Sequence, residues 1–300
     1  MKHILVPTDF SKNAWIATQY TLSLFQDTEC VIYLLNTYTP AILNSRFMSD
    51  PIIAQDDANT SEASSKFGLS KIIEQLKSEL LVPHHTFKTI SSFSLLVDEV
   101  KEAVHNFQID YVVFGNKGVT DAKEVFMGSN AVKILKLGLS CPVLAIPSES
   151  KFKPQKKLAL LTNLNWSNTS RQFSYILEMV NRFQSKIEVF NYDLEPAEMT
   201  AVQQFNFEML RTNLFDVPHS FHWIEGKKDL SQELEKIMSN EDIQLLVMTN
   251  CHYSLMERLT RGIVIKKIDF NCNVPIFIIP EMETDSSKQL CSRTALSLNN

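Results

Sequence analysis

Residues 109–130 read IDYVVFGNKGVTDAKEVFMGSN. The run Tyr111–Phe114 is apolar and partly β-branched, the pattern of a strand buried on both faces. Directly behind it stand Gly115, Gly118 and Gly128, three of only seven glycines in 300 residues. Glycine weakens helices and strands, so a cluster marks backbone in a special conformation or backbone that something approaches closely. Gly128-Ser129 then opens a helical stretch. The segment is therefore a strand, a glycine-bearing loop and a helix.

Other units of the same kind lie on either side. HILVPTD (3–9) is an apolar run ending in a turn. Ser11 fits a helix N-cap, and Ala14, Ala17, Tyr20, Thr21 and Leu24 follow at helical spacing. CVIYLLNTY (30–38) is a second buried strand. TPAILNSRFMSDPIIAQDDANT (39–60) reads as a long irregular stretch, either a functional flap or poorly ordered. Leu69, Ile72, Ile73, Leu76 and Leu80 mark one helical face. HTFKTI (85–90) is a strand, Ser94 to Phe107 a helix, and PVLAIP (142–147) the last strand. Five strands alternating with four helices predict a parallel sheet covered on both faces.

The pattern then repeats. KKLALLTNLNWSNTSRQFSYILEMV (156–180) mirrors the first strand, turn and helix. DIQLLVMTN (242–250) mirrors IDYVVFGN, and NCNVPIFIIPE (271–281) mirrors LSCPVLAIPSE. A period of half the chain means a duplicated domain. The expected fold is two tandem doubly wound α/β domains, each a five-stranded parallel sheet with helices on both faces. The expected boundaries are 1–150, 151–283 and a polar tail at 284–300. The apolar strands PVLAIP and PIFIIP are candidates to pair as sheet edges, within the chain, between chains, or both.

Composition excludes several classes. The net charge is −5 and the pI about 5.8, so no broad basic footprint for nucleic acid exists. KFKPQKK (151–157) reads as a solvated linker. No stretch approaches the roughly 20 apolar residues of a membrane helix. The first residues lack a secretory pattern, and five scattered cysteines fit reduced thiols in a cytoplasm.

In a doubly wound sheet a ligand sits beyond the carboxyl ends of the strands, where their order reverses. If the first and fourth strands are neighbours, Asp9 and Gly115 share that rim. Backbone N–H groups at the start of the Gly128-Ser129 helix have no intrahelical partner, and with no Cβ at Gly128 an anion can come close. Spacing alone leaves two readings open, a nucleotide site or a tight turn followed by a helix cap. Neither the GxxxxGK[ST] phosphate loop nor the GxGxxG fingerprint occurs. A carboxylate repels phosphates, so Asp9 serves the ribose or base end, or holds a Mg²⁺ ion that bridges to them.

The spacing of GNKGVTDAKEVFMGS resembles the G-x2-G-x9-G-[S/T] pattern of nucleotide-binding universal stress proteins. ILVPTDFS (4–11) and SCPVLAIP (140–147) resemble that family's first and last strands. The resemblance covers residues 1–147, with residues 156–281 similar to a diverged second copy. It implies the adenine nucleotide alpha hydrolase-like fold, ATP as ligand and a regulatory role in stress response. Carried onto this sequence, it implies that Pro7, Thr8, Asp9 and the backbone at Thr37 meet the adenosine part. Gly115, Asn116, Lys117, Gly118, Gly128, Ser129 and Asn130 would surround ribose and phosphates. The resemblance also implies an internal pseudo-dimer of the two copies, with a homodimer as a further option.

The second copy departs from the pattern. Laying LTNLNWS on LVPTDFS puts Asn165 at the place of Asp9 and removes the Pro-Thr-Asp turn. Thr249, His252 and Arg261 or Gly262 replace the glycines, so no ATP is expected there. His219 and His222, three apart on a strand, face opposite sides and do not share a metal. Cys251-His252 has no orienting partner for nucleophilic catalysis. Phe205, Phe207 and Met209 read as core filling in a helix. No general base or arginine finger accompanies the glycine motif. The reading is thus an ATP-binding module, with a slow ATPase or phosphoryl-transfer enzyme and a nucleotide-free adaptor as alternatives.

Overall fold

In the computed structural model the described residues are 1–38, 51–79, 84–117, 128–165, 170–192, 194, 196–224, 233, 236, 242–249 and 274–280. The first half runs β1 (Lys2–Pro7), α1 (Lys12–Leu24), β2 (Cys30–Tyr38), α2 (Pro51–Glu79), β3 (His85–Phe93), α3 (Leu96–Asn106), β4 (Tyr111–Gly115), α4 (Ser129–Leu135) and β5 (Val143–Ile146). The second runs β6 (Lys157–Thr162), α5 (Ser170–Phe183), β7 (Lys186–Tyr192), α6 (Ala201–Asn213), β8 (His219–Ile224), β9 (Leu245–Thr249) and β10 (Ile276–Ile279). The stretch expected to be irregular through residue 60 is already helical from Pro51. Proline suits a first helical position, where no backbone N–H is needed. Residues 39–50 and the tail at 284–300 lie outside the described residues, as does Leu80.

The strands form one ten-stranded sheet in the order β3-β2-β1-β4-β5-β10-β9-β6-β7-β8. Each half has the same internal order, and every neighbour is parallel except at the join. There β5 and β10 run antiparallel, pairing Val143 with Ile278, Leu144 with Phe277 and Ala145 with Ile276. The sequence anticipates two five-stranded parallel sheets with an edge pairing left open. That pairing occurs within the chain. It fuses the two sheets, because a strand as apolar as VLAI or IFII is costly to leave at an edge.

Both faces are covered in the first half. Val100 and Ala103 of α3 and Ala131 and Ile134 of α4 bury one face. Ala17 and Tyr20 of α1 and Leu69 and Leu76 of α2 bury the other. In the second half α5 and α6 extend this latter layer through Phe173, Ile176 and Leu210. Each such large side chain taken from water contributes roughly 1.5–3 kcal/mol. No described helix is long and apolar enough to cross a membrane.

Two expectations need correction. Phe205 is not core: it is 65% exposed, while Gln203 and Asn206 of the same helix are buried. Nor is KFKPQKK wholly solvated. Lys151, Lys153 and Lys156 are exposed, but Gln155 is fully buried and donates to the Tyr20 hydroxyl at 2.9 Å, and Phe152 packs on Tyr20 and Phe183.

Candidate functional site

The order of the sheet reverses between β1 and β4, which opens a crevice at their carboxyl ends. The β1–α1 turn forms one wall. Thr8 is buried, its N–H bonded to the Leu35 carbonyl at 2.8 Å and its hydroxyl oxygen accepting from Phe10 N at 3.1 Å. Asp9 accepts from Ser11 N at 3.1 Å, and Ser11 caps α1 by accepting from Ala14 N. Phe10 has φ 63°, a left-handed conformation that a bulky residue adopts only under constraint. Its ring lies on α2 at Gly68, where a Cβ would come within 2.5 Å of the ring. Local capping and that ring contact hold the turn so that Asp9 stands exposed on the rim.

The glycine loop forms the opposite wall, and Asn116 is its hub. Its N–H donates to the Ile146 carbonyl at 2.8 Å, and its own carbonyl accepts from Gly128 N at 2.7 Å, which draws the two ends of the loop together. Gly128 is the N-cap of α4 in extended conformation, without a side-chain cap. The first helical bond runs from Val132 N to the Gly128 carbonyl, so the N–H groups of Ser129, Asn130 and Ala131 have no acceptor inside the helix. Gly118 lies outside the described residues. Gly115 has a reason internal to the fold: a Cβ there would lie 2.6 Å from Asn13 Nδ2.

Between the walls is a cavity of about 320 Å³. Pro7, Thr8 and Asp9 line it from the end of β1 and the turn after it, Thr37 from β2, Gly115, Asn116 and Lys117 from the end of β4 and the start of the loop, and Gly128, Ser129 and Asn130 from the cap and first turn of α4. Every site residue expected from the sequence, Gly118 apart, therefore meets in one cavity. Sequence reasoning missed Asn36 and an apolar floor of Ala14, Leu96, Phe114, Ala131 and Ile134. A polar residue inside the apolar run VIYLL-N-TY was the available signal for Asn36. It is buried and donates to the Thr8 carbonyl at 2.7 Å, tying β2 to the turn. Nothing in sequence periodicity singles out Leu96. Asp9 is the one carboxylate among the described lining residues, and Lys117 the one cation. Among the described residues no group of three or more His, Cys, Asp or Glu side chains is arranged to hold a metal.

The second half keeps the turn and changes its chemistry. Leu164 repeats the left-handed backbone with φ 59°, and its N–H donates to the Thr162 hydroxyl oxygen at 2.9 Å. Asn165 N donates to Asn163 Oδ1 at 3.1 Å. Asn163, and not Asn165, thus stands where Asp9 does, and the turn is retained. A gapless reading from Trp166 misplaced it by two residues. The carboxylate becomes an amide, and α6 clamps the turn: Gln203 donates to the Asn163 carbonyl and Asn206 to the Leu164 carbonyl, at 3.2 and 2.8 Å. By strand register Asn191 matches Asn36 and Thr249 matches Gly115. Cys251, His252, Arg261 and Gly262 lie outside the described residues.

The Universal stress protein family matches residues 1–147. A universal stress protein from Archaeoglobus fulgidus DSM 4304 superposes with a TM-score of 0.63 at 14% identity, over 94% of this chain and 97% of that one. A putative universal stress protein from Pseudomonas aeruginosa UCBPP-PA14 gives 0.55 at 13% identity, over 94% of each. The cytoplasmic domain of a prokaryotic cation chloride cotransporter gives 0.51 at 11% identity, over 93% and 95%. At such identities the likeness is one of fold. No curated protein matches the chain. Motif, sheet order and family match agree on the first half: through residues 1–147 the chain belongs to the universal stress protein family.

Proposed function

We propose that the first-half crevice binds an adenine nucleotide, ATP foremost, and that the protein acts as a nucleotide-dependent binding module. The observation that carries this reading is the meeting of the described motif residues in one cavity at the switch point of the sheet. The chemistry of the walls fits the group. The apolar floor of Leu96, Phe114 and Ile134 suits a base, Asp9 on the exposed rim suits ribose hydroxyls, and the N–H groups beyond Gly128 suit phosphate oxygens. Bound ATP would supply the negative charge that these N–H groups and Lys117 satisfy. Asp9 facing a Mg²⁺ ion is the second arrangement of the same parts.

The described lining residues include no histidine, no arginine and a single carboxylate on the rim, which supports binding over efficient hydrolysis. The second half is read as nucleotide-free, since an amide replaces the rim carboxylate and Thr249 stands at the first glycine position. Nucleotide occupancy would then tune partner binding in a stress response, from a cytoplasmic location.

Isothermal titration of ATP and AMP with Mg²⁺ tests this, beside Gly128→Arg, whose side chain enters the crevice. One ATP per chain, lost in the variant, supports the reading. Two would mean that the second crevice also binds. None, in protein confirmed free of nucleotide, would leave the adaptor reading.

A further inference from the structure

Asn13 lies outside the glycine motif and outside the lining of the cavity. It sits on the first turn of α1, is only 6% exposed, and spends its amide on the loop. Nδ2 donates to the Lys117 carbonyl at 2.9 Å and to Asn116 Oδ1 at 3.3 Å. A carbonyl can only accept, so the amide orientation is fixed by its neighbours. Asn13 Oδ1 is turned into a buried position and has no hydrogen-bond partner among the described residues. Gly115 completes the pair, because a Cβ would fall 2.6 Å from Nδ2 and 2.8 Å from Cγ of Asn13.

We propose that Asn13 is the positioning residue of the nucleotide loop, and that the first glycine of the motif is glycine in order to admit it. This rests on the nucleotide reading of the crevice. Asn116 carries the bond that closes the loop onto Gly128, and Lys117 is the first residue beyond that hub. Asn13 grips both from α1, the helix that Ser11 caps directly behind Asp9. Through it the Asp9 wall and the phosphate wall are held at a fixed separation before any ligand arrives. Preorganisation of this kind lowers the ordering cost of binding.

The test uses the full chain and four variants: Asn13→Asp, Asn13→Ala, Gly115→Ala and the Asn13→Ala/Gly115→Ala double. Asn13→Asp keeps the shape but removes the donor and opposes a carboxylate to the Lys117 carbonyl. It should raise the ATP dissociation constant about tenfold, the equivalent of one to two hydrogen bonds. It should also speed hydrogen exchange at the Gly128 amide while amides of β2 and β7 keep their protection. In the double-mutant cycle the two losses should add only in part, because Asn13→Ala removes the two side-chain atoms that the new Cβ strikes and leaves the Asn13 backbone carbon at 3.0 Å.

Unchanged affinity and exchange in Asn13→Asp, with wild-type protein binding ATP, overturns the positioning role alone. Additive losses in the cycle overturn the explanation of Gly115. Wild-type protein that takes up no ATP overturns the nucleotide reading and this inference with it.

Discussion

Glu188 shows how one residue can tie stability to pH. Its carboxylate is almost wholly buried on β7, 2.7 Å from Lys186 Nζ and 2.7 Å from His222 Nε2, and the His222 ring stacks on Phe190. Burial pushes its pKa up, but the hydrogen bonds from Lys186 and His222 outweigh that and hold it below the ordinary glutamate value. A depressed carboxylate pKa stabilises the fold above the unfolded value, and that stability is lost as the pH falls through the folded value. Glu188→Gln should cost about 1–2 kcal/mol near neutral pH, the Lys186 and His222 side chains being partly solvated. Thermal melts of both proteins from pH 7 to 3 should show this gap closing below about pH 4.3. A gap that persists in acid would contradict it. Two cysteines illustrate the opposite shift: burial raises the thiol of Cys30 to about 11 and that of Cys141 to about 12, so neither is a reactive thiolate at neutral pH.

At the scale of elements, α2 and α6 follow equivalent strands but hold the turn beneath them differently. In the first half an aromatic ring rests on a glycine, Phe10 on Gly68. In the second, two amides descend from α6 to the carbonyls of Asn163 and Leu164. This explains why α6 buries Gln203 and Asn206 and exposes Phe205, against the simple rule for amphipathic helices. Gln203 also closes a capping box with Thr200, whose hydroxyl oxygen accepts from its backbone N–H. Asn206→Ala should leave the buried Leu164 carbonyl without this donor and cost roughly 1–3 kcal/mol. Urea unfolding checks this. A loss below about 0.5 kcal/mol, the usual scatter of surface changes, would show that the clamp is dispensable.

At the scale of the whole molecule the halves are joined by more than the β5–β10 pairing. Glu178 of α5 reaches back to the first half, taking Lys2 Nζ at 3.0 Å and the Tyr111 hydroxyl at 2.7 Å. Burial and the neighbouring carboxylate push the Tyr111 phenol far above its ordinary value, so it stays protonated and donates. Arg182 donates across the same seam to Thr28 Oγ1 at 2.9 Å and lies over the Phe25 ring. Glu178→Ala breaks this network at its centre and strands a buried phenol, for an expected loss of roughly 2–3 kcal/mol. Calorimetry should show a lower melting temperature for the whole chain. A melting temperature equal to that of wild type would mean that the Glu178 contacts do not help to hold the halves together.

Much of this was determined by the sequence itself. Buried parallel strands are written as continuous apolar runs, and YVVF, VIYLL and LALL are such runs because both of their faces are covered. The spacing from Gly115 to Ser129 and the turn at Asp9 likewise mark the two walls of the crevice, since they are local backbone features, whereas Asn36 and the apolar floor were not legible. Three things were decided only by the tertiary structure. The join of β5 to β10 depends on which apolar edges meet, and a strand's own residues do not name its neighbour. The position of Asn163 depends on hydrogen-bond register, which a gapless reading of LTNLNWS misjudged by two residues. The reason for Gly115 lies 102 positions earlier, in the Asn13 side chain that fills the space of its missing Cβ. Such close contacts between distant residues leave no period in the sequence. They arise only when the chain has folded and two surfaces compete for the same volume.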